Sequence, residues 1–266
     1  MLLEIVKNRY KIVEKQKMEL PLSVIEKSEH FKRACFSLSE KITKSALNFQ
    51  IIAEFKRKSP SKGLLNGEAQ ILPTVLGYEA AGACGVSILT ENQYFMGKSE
   101  DIAQVRAALQ LPILRKDFIV ESYQIFESKA LGADVILLIA ACLDKKTIQE
   151  FTNIALDLGM EVLLELHQEQ EIDKIPTHNR DSAILLGVNN RNLETMQVSL
   201  QNSFHLAETL HRKGLHQDKI WVSESGLSSP ADLSALKQVG FDAFLMGERF
   251  MKDSLPAKAL QDLLQV

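Results

Sequence analysis

The sequence predicts an α/β protein in which eight parallel strands close into a (β/α)8 TIM barrel, preceded by an N-terminal helical extension. Eight short runs rich in valine, isoleucine and leucine recur after residue 50, each short enough for a strand buried on both faces. They cover residues 51–53, 85–89, 112–114, 135–139, 162–164, 183–188, 220–222 and 243–246. The intervals between them carry apolar residues three or four positions apart, as at Ile148, Phe151 and Ala155, which is typical of helices.

Glycines and the first loop bear on how these elements are arranged. Gly82, Gly132, Gly159 and Gly240 lie just before predicted strands, where a left-handed glycine commonly ends a helix. Alternating strands and helices also fit an open, doubly wound sheet. A nucleotide-binding sheet of that kind would normally carry a G-x-G-x-x-G loop after its first strand, whereas residues 56–60 read Lys-Arg-Lys-Ser-Pro. We therefore favour the barrel.

The length of 266 residues is compatible with one domain, because barrels of this class typically contain about 250 residues. We expect the barrel to occupy residues 50–266 and the helical extension to occupy residues 1–49. Apolar residues in the extension recur at near-helical spacing: Leu2, Leu3, Val6, Tyr10 and Val13. The extension is expected to cover one end of the barrel.

The composition excludes several classes of protein. The net charge is -3, and although residues 1–50 carry ten Lys/Arg against six Asp/Glu, no block of five like charges occurs. We expect a solvated helical face there, and neither a nucleic-acid nor a membrane partner. The three cysteines are odd in number and lack C-x-x-C spacing, which argues against disulfides and zinc and favours a reducing cytoplasm. The sequence leaves monomer and homodimer both open.

The candidate site follows from the strand ends, because a (β/α)8 barrel carries its active site at the C-terminal ends of its strands. The first strand ends in Glu54 and Lys56, which share the inward face, while Phe55 points towards the helices. An ion pair that satisfies itself explains these two charges equally well. Charged residues also follow three further strands: Lys116, Glu165 and Arg191. Their convergence on one mouth favours a site for an anionic substrate.

A phosphate site is predicted after the seventh and eighth strands, where barrels of this class commonly bind phosphate. Ser225 and Gly226 follow the seventh strand, Gly247 and Glu248 follow the eighth, and Ser229 is placed to cap the next helix. The alternative is that both glycines only permit tight turns. Their joint occurrence at this location favours the phosphate site.

His167 and the basic run after the first strand have simpler explanations. His167 lies two residues past Glu165, where the strand is expected to leave the barrel, so we expect a rim histidine hydrogen-bonded to a loop and not an acid or base. The basic run over residues 56–62 contains no aromatic residue on which a nucleic-acid base could stack. This run is better interpreted as a substrate-binding loop.

These motifs closely resemble those of the indole-3-glycerol-phosphate synthase family. The resemblance runs from about residue 50 to the end of the chain. It rests on IAEFKRKSPSKG at 52–63, LRKDFI at 114–119, GVNNRNL at 187–193, SESG at 223–226 and MGE at 246–248. Members of this family form indole-3-glycerol phosphate from 1-(2-carboxyphenylamino)-1-deoxyribulose 5-phosphate, with loss of carbon dioxide and water and without a cofactor or a metal.

The resemblance implies a role for each matched residue. Lys116 would be the general acid that protonates the ketone, kept charged by Glu54, while Glu165 would serve in later proton transfers. Lys56 would balance substrate anions, and whether Lys56 or Glu165 protonates the departing hydroxyl stays open. The substrate-binding residues would be Asn189, Arg191, Glu224, Phe118 and Ser59. The phosphate-binding residues would be Ser225, Gly226, Gly247 and Glu248.

The sequence argues against two alternatives to this activity. Phosphoribosylanthranilate isomerase is another barrel of the same pathway, but it is expected to carry a cysteine at its first strand, where this sequence has Glu54 and Lys56. The non-enzymatic alternative is a barrel that has kept its phosphate site and become a binding module. That alternative predicts damage at Lys116 or Glu165, and both residues are intact.

Overall fold

The computed structural model describes residues 2–193, 195–215 and 219–265. Eight parallel strands form a closed barrel in chain order, and the eighth pairs with the first, so that Gln50 lies opposite Ala243. The strands are β1 (Gln50–Phe55), β2 (Gly85–Leu89), β3 (Ile113–Lys116), β4 (Val135–Ile139), β5 (Glu161–Leu166), β6 (Ile184–Asn189), β7 (Trp221–Glu224) and β8 (Ala243–Met246). The predicted fold class is confirmed.

Helices surround the barrel and form the extension. They are α1 (Leu2–Glu19), α2 (Leu22–Ile25), α3 (Leu38–Lys44), α4 (Ile71–Ala80), α5 (Asn92–Phe95), α6 (Glu100–Arg106), α7 (Tyr123–Leu131), α8 (Lys145–Asp157), α9 (Gln201–Arg212), α10 (Pro230–Gln238), α11 (Glu248–Met251) and α12 (Pro256–Leu264). Short 3-10 helices cover Glu169–Lys174 and Asp181–Ala183, and Lys58–Ser59 pairs with Gly63–Leu64 in a small hairpin. Within the described ranges, none of these helices is long and apolar enough to cross a membrane.

Local sequence explains how helices begin and end. In α8, Asp144 accepts a hydrogen bond from the Thr147 backbone N–H at 2.7 Å, and Ile148, Phe151 and Ala155 form the buried face. The four glycines predicted to end helices all have positive φ, from +76° at Gly159 to +107° at Gly240. The predicted boundaries of these helices are therefore confirmed.

Strand residues alternate between two apolar layers. Phe55 is buried in the layer between strands and helices, whereas Ile52 is buried in the barrel interior with Leu114, Leu163 and Leu245. This alternation places Glu54 on the inner face, as predicted. The interior layer stops below the C-terminal mouth, where polar side chains replace the apolar ones.

The extension reaches both ends of the barrel, whereas the sequence indicated one. At the N-terminal end, Leu38 and Ile42 of α3 join the interior apolar layer and are almost completely buried. Glu161, at the start of β5, accepts hydrogen bonds from the backbone N–H of Leu38 at 2.8 Å and of Ser39 at 3.0 Å. It also accepts from the Ser37 hydroxyl at 2.6 Å. Helix α3 thus closes this end of the barrel.

A second buried carboxylate attaches the segment before α3. Asp134 is fully buried and accepts from Arg33 at 2.5 Å and from Arg106 at 2.7 Å. It also accepts from the backbone N–H groups of Phe36 and Ile113, both at 2.8 Å. All four donors converge on one carboxylate between the N-terminal ends of β3 and β4.

Helix α1 buries a different face from the one expected. Its buried residues are Ile5, Arg9 and Val13, spaced four apart, while Leu3 is 84% exposed and Tyr10 43% exposed. The reason is that Arg9 forms an ion pair with a carboxylate of the barrel, which the apolar spacing alone does not reveal. Helix α1 lies against the C-terminal mouth, opposite α3.

Candidate active site

A cavity at the C-terminal mouth receives side chains from all eight barrel strands. Every residue that the sequence singled out for the site lines this cavity. They are Glu54, Lys56, Ser59, Lys116, Phe118, Glu165, Asn189, Arg191, Glu224, Ser225, Gly226, Gly247 and Glu248. The fold therefore brings the whole predicted set together, and no residue of the set lies elsewhere.

Lys116 lies between two carboxylates at the end of β3. Its Nζ is 2.7 Å from Glu165 Oε2 and 3.1 Å from Glu224 Oε2, and its side chain is only 12% exposed. Burial opposes the charged form, but attraction from Glu165, Glu224 and Glu54 outweighs it and raises the pKa of Lys116. The ammonium group is therefore fully charged at neutral pH, and it contacts the carboxyl groups of Glu165 and Glu224 in the cavity.

The two carboxylates beside Lys116 differ in protonation. Burial would raise the pKa of Glu165, but Lys116 and His167 together hold that pKa well below its usual value. Burial and the negative charge of Glu165 raise the pKa of Glu224 to about 8, despite the opposing effect of Lys116. Glu165 is thus an anion at neutral pH, and Glu224 is mostly protonated. A protonated carboxyl group beside a charged lysine can donate as well as accept hydrogen bonds.

Gly187 of β6 provides the room that Glu224 occupies. A Cβ at position 187 would collide with Glu224 Oε1. That oxygen is buried and has no hydrogen-bond partner among the described residues.

We expect the protonation of Glu224 to appear in the pH dependence of stability. Between pH about 4.5 and about 8, the folded protein keeps a proton on Glu224 that the unfolded chain has released, so the free energy of unfolding falls as pH rises through this window. Glu224→Gln should remove that slope. Urea unfolding of both proteins at pH 5 and pH 8 measures it.

Glu165 does not interfere with this measurement. Its pKa is lowered, so its contribution to stability is present above the unfolded pKa of about 4.5 and is lost only as pH falls below it. Equal losses of stability in the wild type and the Glu224→Gln variant between pH 5 and pH 8 would contradict the assignment.

Glu54 and Lys56 form the ion pair that the sequence left open as an alternative. Lys56 Nζ lies against Glu54 Oε1, and both side chains line the cavity. Gly247 packs against Glu54, since a Cβ there would lie 2.7 Å from Glu54 Cβ and 3.0 Å from its carbonyl oxygen. Gly247 thus has a packing role here, and its phosphate contact stays a prediction. The pair neutralises itself without leaving the cavity, so it is compatible with a catalytic role.

His167 differs from its expected position. It is buried, and its Nε2 lies 3.1 Å from Glu165 Oε1, so the imidazole faces the carboxylate and not a loop at the rim. The loop contacts come from its backbone: the N–H donates to Glu171 at 2.6 Å, and the carbonyl accepts from Asn202 at 3.2 Å. Strand β5 ends at Leu166, but His167 stays on the inward side with Glu165, where two-residue alternation continued past the strand end would place it.

The turn after β7 has the backbone geometry expected of a phosphate loop. Ser225 and Gly226 both have positive φ, at 69° and 78°, which exposes consecutive backbone N–H groups. Asn190 holds this turn by donating to the Ser225 carbonyl and to the Ser223 hydroxyl, each at 3.1 Å. Ser229 caps α10 as predicted, accepting from the Asp232 N–H at 3.2 Å.

Arg191 links the three loops that frame the cavity. Its guanidinium donates to the Ser61 hydroxyl at 2.8 Å and to the Met196 carbonyl at 3.2 Å, and lies 3.9 Å from Glu248. Glu248 is itself paired with Lys252 at 2.6 Å. The Glu248 carboxylate is therefore paired with Arg191 and Lys252, so any phosphate contact of Glu248 would come from its backbone N–H.

Sequence reasoning missed one wall of the cavity. This wall is apolar and comes from the extension, from α5 and from the loop after β6: Leu2, Ile5, Phe95, Leu193 and Met196. Arg249 also lines the cavity and was not singled out. A basic residue next to the predicted phosphate residues was the available signal for Arg249. Nothing in the local sequence distinguishes Leu2 or Ile5 from residues that merely pack α1.

The described residues contain no group of three His, Cys, Asp or Glu side chains able to hold a metal ion. The polar side chains that line the cavity are lysine and arginine cations, carboxylates, serine hydroxyls and an amide. Such a set can hold an anionic substrate and move protons on and off its oxygens.

The family model of indole-3-glycerol phosphate synthase matches residues 2–263. A protein of that name from Bacteroides thetaiotaomicron is 40% identical over 262 residues, covering 98% of this chain and 96% of the relative. A second, from an Azoarcus species, is 44% identical over 213 residues, covering 80% of this chain and 78% of the relative.

A solved structure supports the fold alone. The crystal structure of KGPDC from Streptococcus mutans superposes with a TM-score of 0.57 at 12% identity, covering 82% of this chain and 97% of that one. At this identity the similarity concerns the barrel and carries no information on the reaction.

Proposed function

The chain belongs to the indole-3-glycerol phosphate synthase family, and on that premise we propose that it converts 1-(2-carboxyphenylamino)-1-deoxyribulose 5-phosphate into indole-3-glycerol phosphate. One molecule of carbon dioxide and one of water leave in the process. The observation that carries the proposal is the position of Lys116 between Glu165 and Glu224, inside the cavity at the barrel mouth.

Lys116 acts as the general acid of ring closure. The ring carbon that bears the carboxylate attacks the ketone carbon, the C=O π bond breaks, and the oxygen takes a proton from Lys116. The raised pKa of Lys116 keeps this proton in place until the oxygen becomes basic. Since a developing alkoxide is a stronger base than any amine, transfer is favourable at that moment. Glu165 and Glu224 then lie within reach of the neutral amine.

The remaining steps need an acid and a base. The carboxylate leaves as carbon dioxide, and its bonding electrons restore the aromatic ring. The hydroxyl then leaves with a proton as water, and a proton is lost from the adjacent carbon to complete the indole. Glu165, an anion beside His167, is the base that removes this last proton. Lys56, which is paired with Glu54, is then the acid that protonates the departing hydroxyl.

Binding of the two substrate ends follows the polarity of the cavity. The phosphate binds at the backbone N–H groups of Ser225, Gly226 and Gly247, where the turn after β7 has positive φ. The aromatic ring lies against the apolar wall and Phe118, and Arg191 and Asn189 contact the polar groups between the ends. This arrangement directs the ketone towards Lys116.

The test is to mix the purified protein with the substrate, without added metal or nucleotide, and follow indole fluorescence. Steady growth of that signal, with carbon dioxide released in equal amount, is the expected result. A folded protein that binds the substrate in calorimetry but produces no indole would instead indicate a phosphate-binding module. Failure to bind the substrate at all would reject the proposal.

A further inference from the structure

We propose that Arg9 is a positioning residue that couples the docking of helix α1 to the placement of Lys116. This inference rests on the proposed function for the role of Lys116 and goes beyond it by assigning a role to a residue of the extension. Its partner Asp117 lines the cavity, whereas Arg9 itself does not. It acts through Asp117, the residue that follows Lys116 along the chain.

Asp117 fixes the turn that carries Lys116. Its side chain is completely buried, and its Oδ1 accepts from the Phe118 N–H at 2.8 Å, which closes the turn. Its Oδ2 accepts from Thr90 at 2.5 Å and from Arg115 at 3.2 Å. The Thr90 N–H donates in turn to the Lys116 carbonyl at 3.1 Å. The carboxylate therefore orients the residues on both sides of Lys116.

Arg9 completes this set of contacts from outside the barrel. Its guanidinium donates to Asp117 Oδ2 at 2.5 Å, and its side chain is only 6% exposed. Arg115 is also paired with Glu127 at 2.7 Å, so the buried group contains two guanidinium and two carboxylate charges and is balanced. Removing Arg9 would leave one buried negative charge in excess beside Lys116.

The same contact sets the position of the apolar wall. Ile5 lies one helical turn before Arg9 on the buried face of α1, and both Ile5 and Leu2 line the cavity. The distance from Arg9 to these residues is therefore fixed by the helix. One ion pair thus determines both the wall that contacts substrate and the turn that carries Lys116.

The chain offers a matched control at the other end of the barrel. Arg33, also in the extension, forms an ion pair with buried Asp134 at the same 2.5 Å distance, but this pair is remote from the cavity lining. Arg9→Met and Arg33→Met each remove one extension arginine from one buried carboxylate. A purely structural role predicts similar consequences for the two variants.

The experiment compares kcat, KM, melting temperature and backbone hydrogen exchange in the wild type, Arg9→Met, Arg9→Lys and Arg33→Met. In Arg9→Met we expect kcat to fall and KM to rise, each by about tenfold or more, because small displacements of reacting groups are costly. Hydrogen exchange should increase in residues 2–19 and also in 116–119. Arg9→Lys should recover most of kcat. Arg33→Met should melt earlier with kcat and KM within about twofold of the wild type.

A double-mutant cycle with Asp117→Asn checks the route of the coupling. If Arg9 acts through Asp117, Arg9→Met should change kcat little in the Asp117→Asn background. Unchanged kcat and KM in Arg9→Met, or activity losses equal to those of Arg33→Met at equal loss of stability, would overturn the proposal. An inactive wild type would reject the proposed function instead. Hydrogen exchange would then decide the coupling alone, and increased exchange in 2–19 without an increase in 116–119 would overturn it.

Discussion

Replacing Lys116 by Met is expected to lower kcat by about 1000-fold while the protein stays folded and still binds indole-3-glycerol phosphate. The variant loses both the proton donor and the charge that neutralises Glu165 at 2.7 Å, and each effect acts on the same developing oxyanion. Single-turnover kinetics with indole fluorescence measures the loss, and circular dichroism and calorimetry monitor the fold and product binding.

Lys116→Arg separates the two effects. The guanidinium keeps a positive charge between Glu165 and Glu224 but holds its protons too strongly to donate them. We expect Lys116→Arg to be nearly as inactive as Lys116→Met. Substantial turnover by the arginine variant would mean that charge, and not proton donation, is what position 116 supplies.

Replacing Asp134 by Ala is expected to lower the free energy of unfolding by about 3 to 5 kcal/mol, because it leaves buried cations without their partner. Arg106 is only 1% exposed in its side chain, Arg33 is 22% exposed, and two backbone N–H groups lose their acceptor as well. Urea denaturation measures the loss, and the midpoint of unfolding should fall without a change in kcat of the folded fraction.

Asp134→Asn is the companion variant. An amide can still accept from some of the four donors, yet it adds donors of its own and lacks the charge, so a smaller loss is expected. A loss below about 1 kcal/mol in Asp134→Ala would show that the extension is held mainly by Leu38, Ile42 and the contacts of Glu161.

The sequence allowed the eight strands to be located because each one contains an apolar run. The observed strands extend further at their C-terminal ends, where β3 continues through Arg115 and Lys116 and β7 through Glu224. Ladder hydrogen bonds do not depend on side-chain polarity, so the strand continues after the apolar run stops. The polar residues at these strand ends line the site. The apolar runs that located the strands therefore also located the site residues, which directly follow them.

Contacts across long sequence distances could not be predicted. The buried face of α1 depends on Asp117, which lies 108 residues away from Arg9. Helix α3 was likewise not expected at the N-terminal end of the barrel, where Leu38 and Ile42 join apolar residues from distant strands. Helical periodicity identifies a buried face only when apolar side chains form it, and Arg9 is an exception.

The closure of the barrel by α3 has a consequence for the order in which the chain folds during synthesis. Residues 37–39 leave the ribosome early, but their acceptor Glu161 is made more than a hundred residues later, and the interior apolar layer that Ile42 joins is complete only when the last strand is present. During most of translation α3 therefore lacks its packing partners, and Leu38 and Ile42 stay exposed to solvent. We expect nascent chains that end before β5 to be the form of this protein most dependent on chaperones.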